Sequence, residues 1–140
     1  VLDIGCAKGF LVKDLLNLGI DAYGLDISGY ALKNCEEETI GRLHLGSAEK
    51  LPFPDNSFDA VIAINSIHNL KKEKCILSLK EIQRISPNNS FVQVDSYRTE
   101  EEKEIFLSWV LTAEYHGYPN EWINTFKEAG YTGDYFWTIV

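Results

Sequence analysis

Short apolar runs alternate along the chain with stretches whose apolar residues recur every three or four positions. That alternation predicts βαβ units and a parallel sheet. Val1–Gly5 reads as a buried strand, followed by a helix from Lys8 to Leu18 with Leu11, Leu15 and Leu18 on one face and Gly19 as its stop. Ala22–Asp26 is the second strand, and Ser28 caps a helix carrying Tyr30, Ala31 and Cys35. Leu43–Gly46 is a short third strand. The prolines and turn residues of Leu51–Ser57 form a loop. Phe58–Asn65 has the unbroken apolar character of a central strand. Leu70–Ile85 is helical, with Cys75, Leu79 and Ile82 in register, and Phe91–Asp95 is the fifth strand. Beyond Arg98 an acidic-fronted helix runs over Glu100–Thr112 with Ile105, Trp109 and Thr112 on one side. A turn at Tyr115–Asn120 leads to a helix over Glu121–Ala129, stopped by Gly130, and Tyr131–Val140 is a last strand. The fold class is α/β: a Rossmann-like open, mostly parallel sheet with helices on both faces. Residues 1–140 read as a single domain.

Composition narrows the function. Hydrophobic residues make up 45% and charged residues 24%, an ordinary globular mix. Thirteen Lys and Arg against 21 Asp and Glu give a net charge of −8, which argues against nucleic acid as a partner because phosphate binding needs a basic footprint. The excess is uneven: residues 1–95 carry 13 acids and 10 bases, residues 96–140 carry 8 acids and 3 bases. Cys6, Cys35 and Cys75 are far apart and odd in number, so neither a disulfide framework nor a zinc site is expected, and a cytoplasmic location is. The longest apolar run, Ala60–Ile64, is far short of the ~20 residues of a membrane span. The sequence has no Met and starts at Val1, inside the first strand, so a preceding segment is expected.

The sharpest chemistry lies in Asp3-Ile4-Gly5-Cys6-Ala7-Lys8-Gly9-Phe10. A strand breaking into small residues before a helix brings backbone N–H groups close to a ligand. The dinucleotide fingerprint needs a third glycine where Phe10 stands, and no G-K-[ST] is present, so NAD and Walker-type sites both fit poorly.

The D-x-G-x-x-x-G arrangement instead resembles motif I of the class I S-adenosylmethionine-dependent methyltransferases. Gly24-Leu25-Asp26-Ile27-Ser28 resembles the end of that family's second strand, where an acid holds the ribose hydroxyls. The block Gly46–Val61 is similar to its adenine-contact and fourth-strand region, most closely in the branch related to ubiquinone and menaquinone biosynthesis. The resemblance implies S-adenosyl-L-methionine as cofactor, S-adenosyl-L-homocysteine as product and a small-molecule methyl acceptor. It implies cofactor-binding roles for Asp3, Gly5, Cys6, Ala7, Gly9, Asp26, Ile27, Ser47, Ala48, Glu49 and Asn65. Two departures stand out: Ala7 replaces the middle glycine, and Ser47 replaces an Asp that contacts the adenine amino group.

The reactive end of such a sheet lies beyond the carboxyl ends of its strands. That rule selects Asn65, Ser66 and His68 after the fourth strand, with His68 the candidate general base, and Asp95, Tyr97 and Arg98 after the fifth. Eleven of the 17 aromatics follow residue 96. They serve either as core or as a lid over 97–120, with Tyr97, Trp109, Tyr115 and His116 as candidate acceptor residues. No metal is expected. The rival reading is a domain that binds S-adenosylmethionine or its product without catalysis, as a regulator or partner subunit.

Overall fold

A computed structural model describes residues 1–139. Six strands form one sheet: β1 (Leu2–Ile4), β2 (Tyr23–Asp26), β3 (Leu43–Leu45), β4 (Val61–Ile64), β5 (Ser90–Ser96) and β6 (Asp134–Ile139). Their order is β3-β2-β1-β4-β5-β6 and every neighbouring pair is parallel. Val140, the last residue of the expected final strand, lies outside the described residues.

The chain leaves β1 in two directions, through α1 (Phe10–Asn17) and α2 (Gly29–Lys33) toward β3, and from β4 through α3 (Lys72–Ile85), α4 (Glu100–Trp109) and α5 (Pro119–Ala129) toward β6. Right-handed crossovers therefore put α1 and α2 on one face, α3 and α5 on the other. The packing agrees. Leu2, Ile4, Val61, Val92 and Val94 are buried with Leu79 and Ile82 of α3 and with Trp122 and Phe126 of α5. Val12 of α1 is buried with Cys6 and Ala22 in a smaller cluster.

The sequence pattern places all six strands, and the differences have local causes. Gly9 caps α1 in the left-handed region at φ 84°, so the helix opens at Phe10 rather than Lys8. Val12, not Leu18, anchors that helix, and Leu18 is exposed. The second helix ends at Lys33 and excludes Cys35. Ladder pairing on β4 starts only at Val61, while Phe58 turns to meet the Phe53 ring at 5.0 Å. Val110 takes up an extended conformation, so α4 stops at Trp109 instead of Thr112. On that helix Phe106 is the buried residue, whereas Ile105 and Trp109 are about half exposed. Tyr131 lies before β6 and donates its hydroxyl to Asp134 O at 2.7 Å. Among the described residues no helix is long and apolar enough to cross a membrane.

Trp122 closes the core between α5 and β5. It is fully buried, its ring lies 4.6 Å from that of Tyr115, and its Nε1–H donates to Asp95 O at 3.1 Å. Trp122→Phe leaves that carbonyl unpaired and opens a small void. It should lower unfolding stability by about 2–3 kcal/mol, read as a reduced urea midpoint at unchanged slope.

Candidate functional site

At the carboxyl end of β1 the backbone turns sharply. Gly5 adopts φ 81°, and the N–H groups of Gly5 and Cys6 both donate to Leu25 O, at 2.8 and 3.2 Å. A Cβ on Gly5 would stand 2.4 Å from the Cβ of Ser66, whose hydroxyl donates to Ile4 O at 2.8 Å. The glycine is thus demanded by the turn that follows β4, which presses directly on the loop.

Asp26 holds the other side. One carboxylate oxygen accepts from Ala7 N–H and the other from Ser28 N–H, each at 2.8 Å. Ser28 in turn caps α2 by accepting from Ala31 N–H. Each Asp26 oxygen keeps a further lone pair for a ligand hydroxyl. Ala7 itself sits at φ 48°, a left-handed conformation that an L side chain adopts at a cost.

These loops enclose a cavity of about 320 Å³, within the range of small-ligand sites. Its floor is Ile4, Gly5, Leu25 and Asp26; one wall is Ile27 with Gly46, Ser47 and Ala48; the opposite wall is Asn65, Ser66 and Ile67 with Asn69 and Leu70. Of the residues named from sequence, Gly5, Asp26, Ile27, Ser47, Ala48, Asn65 and Ser66 line it together. Asp3, Cys6, Ala7, Gly9 and Glu49 lie outside its lining. Cys6 points its side chain into the small cluster against α1, where burial holds its thiol up at about 12, with no thiolate character at neutral pH. Ser47 Oγ accepts from Glu49 N–H at 3.2 Å, and the Glu49 carboxylate pairs with Lys74 at 3.1 Å.

Arg84 and Glu81 of α3 fix the loop beyond Ser47, which sequence reasoning did not single out. Arg84 donates to Leu51 O, Phe53 O and Asp55, and Glu81 accepts from Leu51 N–H at 2.7 Å while pairing with Arg84. Asn69 and Leu70 were likewise missed. Their signal was position alone, within the turn that follows a central strand.

His68 is 4% exposed and lies outside the cavity lining. Its Nδ1 accepts from Asp95 N–H at 3.3 Å, so the neutral ring carries its proton on Nε2, 3.7 Å from the Asp95 carboxylate. Burial lowers its pKa and the charge of Asp95 opposes that, so the neutral form is favoured. His68 O accepts from Glu114 N–H and Tyr115 N–H. Tyr97 is buried, with its hydroxyl 2.9 Å from His116 Nδ1, and both rings pack on Phe106, which also touches Trp109. Tyr115 packs on Trp122 and shares a 2.6 Å hydrogen bond with Thr125. Tyr97, Trp109 and His116 therefore form one aromatic cluster and Tyr115 belongs to the core. None of the four lines the cavity.

Asp3 is buried beside this site. Desolvation, and after it the charge of Asp26, push its carboxyl up to about 6 from 3.8. The native state therefore binds a proton more readily than the unfolded chain between about pH 4 and 6, and stability falls as pH rises through that window. Asp3→Asn should remove this dependence and stabilise the protein above pH 6 by up to about 3 kcal/mol, checked by urea unfolding at pH 4, 5, 6 and 7.5. Ala7→Gly relieves a left-handed strain of about 1–2 kcal/mol against about 0.5–1 kcal/mol of added unfolded-state freedom. A rise of a few degrees in melting temperature should follow.

The family model for the methyltransferase domain matches residues 2–92. The arginine-hydroxylase NDUFAF5 of Rattus norvegicus, a mitochondrial protein by its name, is 39% identical over 69 residues, covering 48% of this chain and 20% of that protein. The "Probable tRNA methyltransferase 9B" of Mus musculus is 30% identical over 121 residues, covering 78% of this chain and 25% of its own length. The chain thus spans only about a fifth to a quarter of these relatives. A solved S-adenosylmethionine-dependent methyltransferase from Archaeoglobus fulgidus shares the fold at a TM-score of 0.71 and 20% identity, covering 92% of this chain and 59% of that one. Its glycine loop, its Asp26 clamp and a matched domain over most of its length make this chain a member of the class I S-adenosylmethionine-dependent methyltransferase family.

Proposed function

We propose that the chain binds S-adenosyl-L-methionine in the cavity beyond β1, β2 and β4 and supports transfer of its methyl group to a small-molecule acceptor. The observation that carries this reading is the Asp26 carboxylate, fixed on both oxygens yet facing the cavity with lone pairs to spare. Those lone pairs suit the paired hydroxyls of a ribose. Ile27, largely exposed at the rim, and Ala48 across from it offer apolar surface to a planar base. Gly5, Ala7 and Asn65 leave the methionyl end close to backbone. Cys6 and Gly9 act through that loop, and Glu49 through its pairing with Lys74. Asp3 adds negative charge behind a cofactor that carries an ammonium and a sulfonium.

The cofactor supplies an activated methyl group, so the protein's task is alignment and exclusion of water. His68 fits that task as a positioning residue: neutral and tied to Asp95, it anchors the 114–115 segment to the turn that walls the cavity. The 97–120 segment, built on the Tyr97, Trp109 and His116 cluster and tethered through Tyr115, is the element proposed to shape the acceptor side.

A net charge of −8 favours a small acceptor over a polyanion. RNA is the second reading, favoured by the name of the murine relative. The relative named as a hydroxylase makes transfer itself the quantity to measure. Both S-adenosylmethionine and S-adenosylhomocysteine should raise the melting temperature, and Asp26→Asn should weaken homocysteine-product binding by about tenfold in calorimetry. Absence of any shift with either compound overturns the cofactor reading. Binding without formation of S-adenosylhomocysteine, across a panel of small acceptors and transfer RNA, supports the non-catalytic alternative.

A further inference from the structure

One helix carries both walls of the cavity. Leu70 of the turn after β4 lines it, and α3 begins at Lys72, two residues on. The facing wall, Gly46–Ala48, is held at one end by Gly46 N–H, which donates to Asp26 O at 3.0 Å. At its other end it passes through a turn in which Glu49 N–H and Lys50 N–H both donate to Ser47, and so into Leu51. From Leu51 to Phe58 the chain is strapped along α3. Glu81 accepts from Leu51 N–H at 2.7 Å, while Arg84 donates to Leu51 O at 3.2 Å and to Phe53 O and Asp55 at 2.8 Å each. Asn56 N–H and Phe58 N–H donate to the carbonyls of Arg84 and Ile85. Pro52 and Pro54 have no N–H, so the strap has few donors with which to be held in any other way.

Resting on the cofactor reading above, we propose that Glu81 and Arg84 are positioning residues for the nucleoside part of the cofactor, because they fix the distance between the Gly46–Ala48 wall and the turn after β4. Arg84 grips Glu81 through Nε and Nη2, each at 2.8 Å, and its other hydrogen bonds go to the strap. The pair shares one side of α3 with Lys74, which meets Glu49 at 3.1 Å. The three residues occupy about 80° of arc beside the helix's buried face. A slack wall must be ordered when a ligand binds, and that ordering is subtracted from the affinity. A wall already held avoids the loss.

The geometry of the grip suits positioning. Glu81 takes the N–H of Leu51 and Arg84 takes its carbonyl, so two consecutive peptide units are fixed in orientation as well as in place. The sheet cannot do this, since β3 is three residues long and has a neighbour on one side only. Both side chains are partly in solvent, 30% exposed for Arg84 and 19% for Glu81, where an ion pair adds little to global stability. The pair is charge-assisted and bidentate, the form in which a polar contact sets direction most firmly.

The test is calorimetric binding of two compounds to the whole chain: S-adenosylhomocysteine, and 5′-methylthioadenosine, which keeps the nucleoside and lacks the amino-acid end. Arg84→Met removes the fork at similar length and should weaken both compounds by the same factor, about tenfold. Glu81→Gln is the milder variant, keeping an acceptor for Leu51 N–H, and should cost both about threefold. Because the two residues hold one strap, the double variant should lose little beyond Arg84→Met alone. Trp122→Phe, which lowers stability from the core between α5 and β5, should bind both compounds as the wild type does. Melting curves establish folding of each variant. Unchanged affinity in the folded Arg84 and Glu81 variants, a loss confined to S-adenosylhomocysteine, or an equal loss in Trp122→Phe overturns the assignment and leaves the cofactor reading intact. Failure of the wild type to bind either compound overturns both.

Discussion

The site is organised by one carboxylate. Asp26 takes the N–H of Ala7 with one oxygen and the N–H of Ser28 with the other, joining the loop after β1 to the loop after β2. The loop after β1 has few contacts of its own: two of its N–H groups share Leu25 O, and its glycines leave the backbone free to choose other paths. A charged acceptor makes stronger hydrogen bonds than a neutral one, so the clamp sets the loop's path where weak turn preferences would not. From there the constraint spreads. With the loop fixed, Gly5 presents a bare Cα to Ser66, the turn after β4 closes on it, and the cavity acquires its second wall.

The other wall is set from a distance. Gly46–Ala48 has little support of its own, since β3 is three residues long and lies at the sheet edge. Arg84 and Glu81, thirty residues further along, tie down Leu51, Phe53 and Asp55. Helix α3 thus has two roles, packing Leu79 and Ile82 into the core and holding the loop beyond the cavity wall by its polar side.

Much of this was legible from the chain. The D-x-G-x-x-x-G loop, Asp26 and the Gly46–Val61 block announced the fold and half of the cavity lining, because a turn that tolerates only small residues and an acid at a strand end leave a local trace. Arg84 and Asn69 left none: the loop groups that Arg84 holds are 29 to 33 residues away, and Asn69 Oδ1 has no hydrogen-bond partner among the described residues. The helical period misjudged α1 and α4 for a related reason. Periodicity identifies a face, but whether Leu18, Ile105 or Trp109 finds a neighbour depends on where the helix ends. The aromatics after residue 96 gathered around Phe106 and Trp122, sealing segments against each other as core side chains do.

The position of β1 carries a consequence for how the molecule assembles. It is three residues long and central, flanked by β2 some twenty residues on and by β4, paired Leu2 to Val61, nearly sixty residues on. Enclosing β1 on its β4 side thus needs a long loop to close, which costs entropy before any contact repays it. The unit β4-α3-β5 is contiguous and buries its own apolar face, which makes it the natural first structure. Leu2 and Ile4 are buried only once β4 and α3 are in place. The glycine loop, and with it the cavity, cannot take its final shape before the turn that follows β4 closes on Gly5.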